Sequence, residues 1–467
     1  MTTKQKQQER ETAVIRAPHD GSEVGVVALA GPEDVRAALD ANVATARAAR
    51  DMPAHARAAA LRRIADGLEA ARAEFARTLA LEAGKPIAQA KTEIDRAIFV
   101  FRDGAEEATR IGGEVLPADV VPSSAGRIGI TRRFPLSPIA AITPFNFPVL
   151  LAAHKIAPAI ACGAGVTLKP PPQDPLTTLR LFDLVKTSGY PAGAVNVVPC
   201  HVEVAQILIE DPRVRLITFT GSAKAGWAIR AKAATKRVAL ELGGNAAVIV
   251  EPDADLTWCA TRCAVGGFTY AGQSCISTQR IYVHERVYQP LLDLLLEKVK
   301  QLQVGDVLDE HTDVGPMISP DAAERVERWI AEAAQAGATI ELGGKRNGVF
   351  LQPTVLTHTT AEMKVNCEEV FAPLVTVTPY RSLNDAIEWA NASPYGLQAG
   401  VFTTNLQTMF RLHAELEVGT VNGNDIPGFR VDRLPYGGAK ASGLGREGVR
   451  YAIEEMTERR VLTLKLD

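Results

Sequence analysis

A chain of 467 residues exceeds the size at which a single hydrophobic core keeps growing, so two or three domains are expected. Hydrophobic residues at 46% and charged residues at 22% are ordinary for a globular protein. A net charge of -3 supplies no field to gather nucleic acid or an anionic membrane, and no stretch approaches the roughly 20 apolar residues of a membrane helix.

The first ten residues have no apolar core, so they read as a polar lead-in and not as a secretory signal. Residues 33–80 are rich in Ala, Arg, Leu and Glu with apolar positions at helical spacing, and 95–109 continues the pattern until Gly112-Gly113 stops it. On this reading the first hundred residues are helical. Residues 126–134 alternate β-prone and basic side chains and predict a projecting hairpin.

From Ser137 the rhythm changes. Strands at 138–142, 165–168, 194–198, 215–219 and 238–240 alternate with helices at 149–161 and after Pro175, Val202 and Gly221. That alternation predicts a parallel, doubly wound sheet, whose ligands bind beyond the carboxyl ends of its strands. A second α/β stretch covers 245–440, with strands near 246–250, 280–283 and 374–379. The tail 461–466 alternates apolar and polar residues like one exposed strand, which needs a partner.

Six cysteines, at 162, 200, 259, 263, 275 and 367, lack the spacing of a disulfide framework, as expected of reduced thiols in a cytoplasm. Cys259 and Cys263 share a helical face, but two thiols without a nearby histidine make a poor zinc site, so no metal is expected.

Two short segments carry chemistry. In Gly272-Gln273-Ser274-Cys275-Ile276 a cysteine among small residues can expose its sulfur. In Glu241-Leu242-Gly243-Gly244-Asn245 a carboxylate at a glycine-rich turn can swing. Nucleophile and base are the pair that covalent oxidation of a carbonyl carbon requires. Taken alone, a cysteine is more often a buried structural residue, and a glutamate at a strand end more often faces solvent. Asn146, in Pro144-Phe145-Asn146-Phe147-Pro148, could donate to an oxyanion together with the Cys275 N–H, or could serve turn chemistry beside proline. There is no Gly-x-Gly-x-x-Gly fingerprint. Instead, in Phe219-Thr220-Gly221-Ser222-Ala223-Lys224-Ala225-Gly226 a strand turns into a helix whose N-terminus can hold phosphate, although such a turn is more often only a helix cap.

In this order and spacing the motifs resemble the aldehyde dehydrogenase superfamily, over nearly the whole chain as far as Pro435-Tyr436-Gly437-Gly438-x-Lys440-x-Ser442-Gly443. The resemblance implies an α/β fold with a Rossmann-like cofactor-binding domain at 1–112 and 136–244 and an α/β catalytic domain at 245–440. It adds a small β oligomerisation element at 113–135 and 441–467, whose hairpin and tail pair across the subunits of a homodimer or homotetramer. It further implies that Cys275 attacks an aldehyde to give a thiohemiacetal and then a thioester, which Glu241 hydrolyses by activating water. Asn146 would hold the oxyanion, and Lys155 would order the region or relay protons. Pro144, Phe145, Lys169, Gly221, Ser222, Gly226 and Leu242 would contact NAD or NADP, with Glu369 and Phe371 at the nicotinamide ribose and ring.

Three departures stand out. Ala372 replaces the usual glycine. Pro172 stands where NAD-preferring members carry a glutamate, which removes a repulsion against NADP and leaves Lys169 and Lys224 available to a 2′-phosphate. His154 stands where many members carry tryptophan, so a more polar substrate pocket is expected, walled also by Phe147, Leu150, Leu151 and the 422–434 loop. One of Arg430 and Arg433, with Arg102 or Arg110, is expected to bind an anionic group on a short aldehyde, although any single arginine more often pairs with a surface acid. Two rivals remain: transfer of the acyl group to coenzyme A, in members that generally lack the glutamate, and a binding or structural protein without catalysis.

Overall fold

The computed structural model describes residues 10–466, so most of the expected polar lead-in lies outside the described residues. Six strands form a first sheet in the order Gly443–Leu444, Arg237–Glu241, Leu216–Thr220, Ile139–Ile142, Val166–Lys169 and Val195–Val197. All pair in parallel except the edge strand Gly443–Leu444. Ile139–Ile142, Val166–Lys169 and Leu216–Thr220 are buried along their whole length. A parallel sheet is covered by helices on both faces, which is why Ile139–Ile142 reads as a continuous apolar run and the other two bury their threonines as well.

The Pro148–Cys162 helix starts with proline at its first turn, ends at Gly163 with φ +82, and is buried at every residue. Against it pack Ala54–Ala70 and Ile87–Glu107. Leu61, Ile64 and Leu68 line one face of Ala54–Ala70 and are fully buried. Each contributes about 1.5–3 kcal/mol by leaving water.

A second sheet has seven strands, in the order Thr339–Leu342, Thr354–Thr357, Leu374–Tyr380, Thr278–His284, Ala246–Val250, Gln398–Phe402 and Thr420–Gly423. Only Thr339–Leu342 pairs antiparallel. Cys259 and Cys263 lie inside its core on the Leu256–Phe268 helix with sulfurs 4.0 Å apart. Among the described residues no cluster of His, Cys, Asp or Glu could hold a metal ion, and no helix is long and apolar enough to cross a membrane.

Three expectations change. Thr12–Arg16 and Glu23–Ala28 form an antiparallel hairpin ahead of the first helix, in a region read as helical throughout. Residues 126–134 are not a hairpin: Arg127–Pro135 is one strand, flanked by Val115–Pro117 and by the tail strand Thr457–Lys465 of the same chain. Alternation marks a strand but not its partner, and here the partner comes from more than 300 residues away. Residues 441–456, grouped above with the oligomerisation element, return to the first sheet, where Gly443–Leu444 pairs with the Glu241 end of Arg237–Glu241 and Val449–Glu455 packs on Pro148–Cys162.

Candidate active site

A cavity of about 510 Å³ opens between the two sheets. Cys275 faces it from a turn with unusual backbone: Tyr270, Ala271 and Gly272 all have positive φ, at 51°, 51° and 67°. Two non-glycine residues in that region cost of order 1–3 kcal/mol each, so the surroundings must impose the shape. They do. The Tyr270 hydroxyl donates to the Ala83 carbonyl at 2.8 Å, and its backbone N–H donates to Gln89 Oε1 at 2.8 Å. Gln273 Oε1 accepts from the Ile318 N–H at 2.8 Å. At Gly272 a Cβ would stand 2.1 Å from the Ala372 carbonyl oxygen, so only glycine fits. The Cys275 sulfur lies 3.1 Å from the Tyr436 hydroxyl. Burial pushes its thiol up to about 12, against the opposing hydrogen bond of Tyr436.

Asn146 is clamped through its backbone. Its carbonyl accepts from Lys85 Nζ at 2.6 Å, and Lys85 is paired with Glu93 beneath the rings of Phe147 and Tyr270. Glu93 in turn accepts from the Val149 and Leu150 N–H groups at 3.0 and 3.2 Å, which caps the Pro148–Cys162 helix. Asn146 Nδ2 donates one hydrogen to the Gln273 carbonyl at 3.2 Å, leaving its second free.

Glu241 ends its strand at the cavity, buried, with Oε2 unpartnered among the described residues. Burial and the nearby Glu447 charge hold its carboxyl well above the usual range. Behind it Lys155 Nζ donates to Thr218 Oγ1 at 3.0 Å and pairs with Glu447 at 3.4 Å. Burial alone would raise the Glu447 pKa, but the adjacent cations Lys155 and Arg430 bring it to about 2. Arg430 pairs with Glu447 and Asp432, both at 3.2 Å, and lies 3.7 Å from the Tyr436 ring centroid.

Pro144, Phe145, Gly221, Ser222, Leu242, Glu369 and Phe371 line the same cavity. Phe145 and Phe371 meet edge to face at 6.0 Å. A Cβ on Gly243 would stand 2.2 Å from Glu369 Oε2, so glycine is needed where this carboxylate lies against the backbone. Ser222 Oγ accepts from the Ala225 N–H at 3.4 Å at the start of Ala223–Lys232. Thr220 Oγ1, on the cavity wall, is buried without a partner among the described residues. An unpaired hydroxyl, a helix N-terminus and facing aromatic rings fit a nicotinamide dinucleotide.

Residues 4–462 match the aldehyde dehydrogenase family. The chain belongs to that family. It is 46% identical over 407 residues to a 3-sulfolactaldehyde dehydrogenase of Priestia aryabhattai, covering 87% of this chain and 85% of that one. A sulfoacetaldehyde dehydrogenase of Neptuniibacter caesariensis is 39% identical over 417 residues, 89% of this chain and 91% of its own. Among solved structures, aldehyde dehydrogenase 21 of Physcomitrella patens in complex with succinate superposes with a TM-score of 0.96 at 40% identity, covering 98% of this chain and 96% of that one. The fold is the aldehyde dehydrogenase fold, and the family takes NAD or NADP as its oxidant.

Not every residue expected at this dehydrogenase's site lies on the cavity. Lys155 is buried off the cavity, paired with Glu447. Lys169 is buried at its strand end, where burial lowers its pKa. Gly226 serves packing, because a Cβ there would stand 2.3 Å from Leu242. Phe147, Leu150 and Leu151 line the cavity, but His154 lies one turn further along the helix, fully buried against Asp432 and Arg430. Of the four arginines, only Arg430 lines it. Arg433 pairs with Asp103 and Glu106, Arg102 with Glu69, and Arg110 with Glu106 and Glu107. Sequence reasoning missed Lys85, Glu93, Arg96, Arg262 and Glu447. Glu93 and Arg96 stand three apart on one face of a helix, a usable signal. Glu447, from the far end of the chain, had none.

Proposed function

We propose that this aldehyde dehydrogenase oxidises a short anionic aldehyde to its carboxylate with NAD or NADP and water. The supporting observation is one cavity shared by Cys275, Asn146 and Glu241 with three arginines, Arg96, Arg262 and Arg430. Arg96 gives Asp432 two hydrogen bonds, at 2.8 and 2.9 Å, and Arg262 gives Asp425 one, at 2.6 Å. A guanidinium carries five N–H donors, so each keeps some for a ligand. Sulfonated aldehydes are named for two relatives and succinate for a third, all bearing an anionic group on a short chain.

The chemistry follows from positions. The Cys275 thiolate adds to the aldehyde carbon, and the oxyanion receives the free Asn146 Nδ2 hydrogen and the Cys275 N–H. Phe145, Glu369 and Phe371 would hold a nicotinamide ring, which when bound would supply the acceptor for the hydride of this carbon. Glu241 then takes a proton from water attacking the thioester, restoring the thiol and releasing the acid. Glu447 and Lys155 behind it give that proton an exit. An acyl transfer to coenzyme A needs no such base, so Glu241 favours water as the acceptor. Lys169 has no ion-pair partner among the described residues, beside exposed Pro172, which makes NADP usable along with NAD. Six free thiols fit the cytoplasm. The exposed Val461, Leu462 and Leu464 on the tail strand favour a homodimer or homotetramer.

Initial rates over sulfonated, carboxylated and neutral aldehydes, with each nucleotide and with and without coenzyme A, test this reading. Anionic aldehydes are expected to lead in kcat/KM by about tenfold or more without help from coenzyme A. Neutral aliphatic aldehydes leading, or a requirement for coenzyme A, would overturn it.

A further inference from the structure

The cavity holds one polar group that the steps above leave idle. The Tyr436 hydroxyl touches the Cys275 sulfur at 3.1 Å, and among the described residues it has no other hydrogen-bond partner. The residue is 4% exposed and packs with Ile276 and Leu397 around the cysteine. Its position is fixed by two backbone hydrogen bonds with Glu447, at 3.1 Å from its N–H and 2.7 Å to its carbonyl. On its ring face lies the guanidinium of Arg430, 3.7 Å from the centroid. Arg430 is itself held by Glu447 and Asp432.

A cation on the face of a phenol draws electron density from the ring and strengthens its O–H as a donor. Burial keeps that phenol protonated, far above its ordinary range. A protonated hydroxyl 3.1 Å from a sulfur that must become a thiolate can only donate to it. We propose that the Tyr436 hydroxyl is a catalytic hydrogen-bond donor to the Cys275 thiolate, with Arg430 on its ring face as the group that sharpens it. This rests on Cys275 being the nucleophile proposed above.

The need for such a donor is visible in the surroundings. Burial opposes ionisation of the Cys275 thiol, and the facing carboxylates Glu369 and Glu241 oppose it further. Tyr436 and Arg430 are the neighbours that favour the thiolate, with Tyr436 the larger of the two. The phenolic proton stays on its oxygen throughout, the thiol proton is lost to water, and the sulfur electron pair forms the bond to carbon. The hydrogen bond is released as the sulfur loses its charge on attack.

The test uses the full-length enzyme without nucleotide. Cys275 is alkylated with iodoacetamide, whose iodide the thiolate displaces, and the modified Cys275 peptide is quantified by mass spectrometry from neutral to strongly alkaline pH. Tyr436→Phe is expected to raise the apparent thiol pKa by about one to two units, the worth of one hydrogen bond to a charged group. Alkylation at neutral pH then slows by about ten- to a hundredfold and recovers at the alkaline plateau. A ring-fluorinated tyrosine at position 436, more acidic but nearly the same size, is expected to move the pKa the other way, and it decides the matter alone should Tyr436→Phe not fold. The pH profile of the pre-steady-state burst is expected to shift in the same sense, with KM for the aldehyde unchanged. A purely structural tyrosine would change thermal stability or KM and leave the thiol pKa in place, and that result overturns the proposal. If alkylation of Cys275 leaves activity intact, the nucleophile assignment itself fails, which the same experiment reads separately.

Discussion

Two buried charge clusters flank Asn146 and Glu241, and they resolve the same problem in opposite ways. Beneath the Asn146 turn, Glu82, Glu93 and Asp174 are buried together, and the buried cation beside them, Lys85, is paired with Glu93. Behind Glu241, Asp432 and Glu447 face Arg96, Arg430 and Lys155. In the first cluster acids outnumber cations, so burial wins: Glu82 is pushed up to about 7, and Asp174, whose side-chain oxygens have no hydrogen-bond partner among the described residues, stands well above the carboxylate range. In the second, cations outnumber acids and hold Glu447 near 2 in spite of equal burial. Burial alone does not decide the state of a carboxylate; the local count of cations does. The acid-rich side is a clamp, whereas the cation-rich side faces Glu241 and the cavity proposed to take an anionic aldehyde.

The comparison breaks most visibly at Glu241, which lies next to the cation-rich cluster. Glu241→Gln removes the proposed base and is expected to spare attack and hydride transfer. Stopped-flow absorbance is expected to show a burst of reduced nucleotide followed by steady-state turnover slowed on the order of 10³-fold. On the clamp side, Glu93→Gln leaves Lys85 buried without a counter-charge and weakens the cap of the Pro148–Cys162 helix. Chemical denaturation is expected to show a loss of about 3–5 kcal/mol.

The two clusters also predict opposite pH slopes. The folded pKa of Glu447 is depressed from 4.5 to about 2, so its contribution is present above pH 4.5 and is lost as pH falls toward 2. That of Glu82 is raised from 4.5 to about 7, so its favourable neutral form is lost as pH rises across that window. Denaturation at a series of pH values is expected to show Glu447→Gln flattening the acid limb and Glu82→Gln the neutral one, each by up to about 3 kcal/mol. Smaller still, Arg96→Gln should raise KM for an anionic aldehyde about tenfold with neutral aldehydes unaffected. Arg433→Ala, whose guanidinium is spent on Asp103 and Glu106, should leave KM unchanged in the same assay.

How much of this could be read from the chain depends on range. The parallel strands, the helices between them and the turns bearing Asn146, Gly221, Glu241 and Cys275 are local patterns, and these were legible. The family resemblance assigned Glu369 and Phe371 to the nicotinamide ribose and ring, and both line the cavity. The tail's partner was not legible, because alternation in Thr457–Lys465 carries no address for Arg127–Pro135. His154 and Arg433 failed as pocket residues for a different reason. His154 was placed by its family position and Arg433 by its neighbours in sequence, while each side chain was claimed by an acid from elsewhere, Asp432 for one and Asp103 for the other. Ionic partners across such distances leave no trace in a single sequence.

The turn of three left-handed residues before Cys275 bears on how this enzyme can be taken apart. Its shape is imposed by Ala83 and Gln89 from the N-terminal helices and by Ile318 from the opposite part of the chain. Neither half, expressed by itself, would contain the contacts that bend the turn. The reactive cysteine is therefore not a portable cassette: a chimera that moves residues 269–278 alone would carry the sulfur into a loop free to relax to ordinary backbone angles.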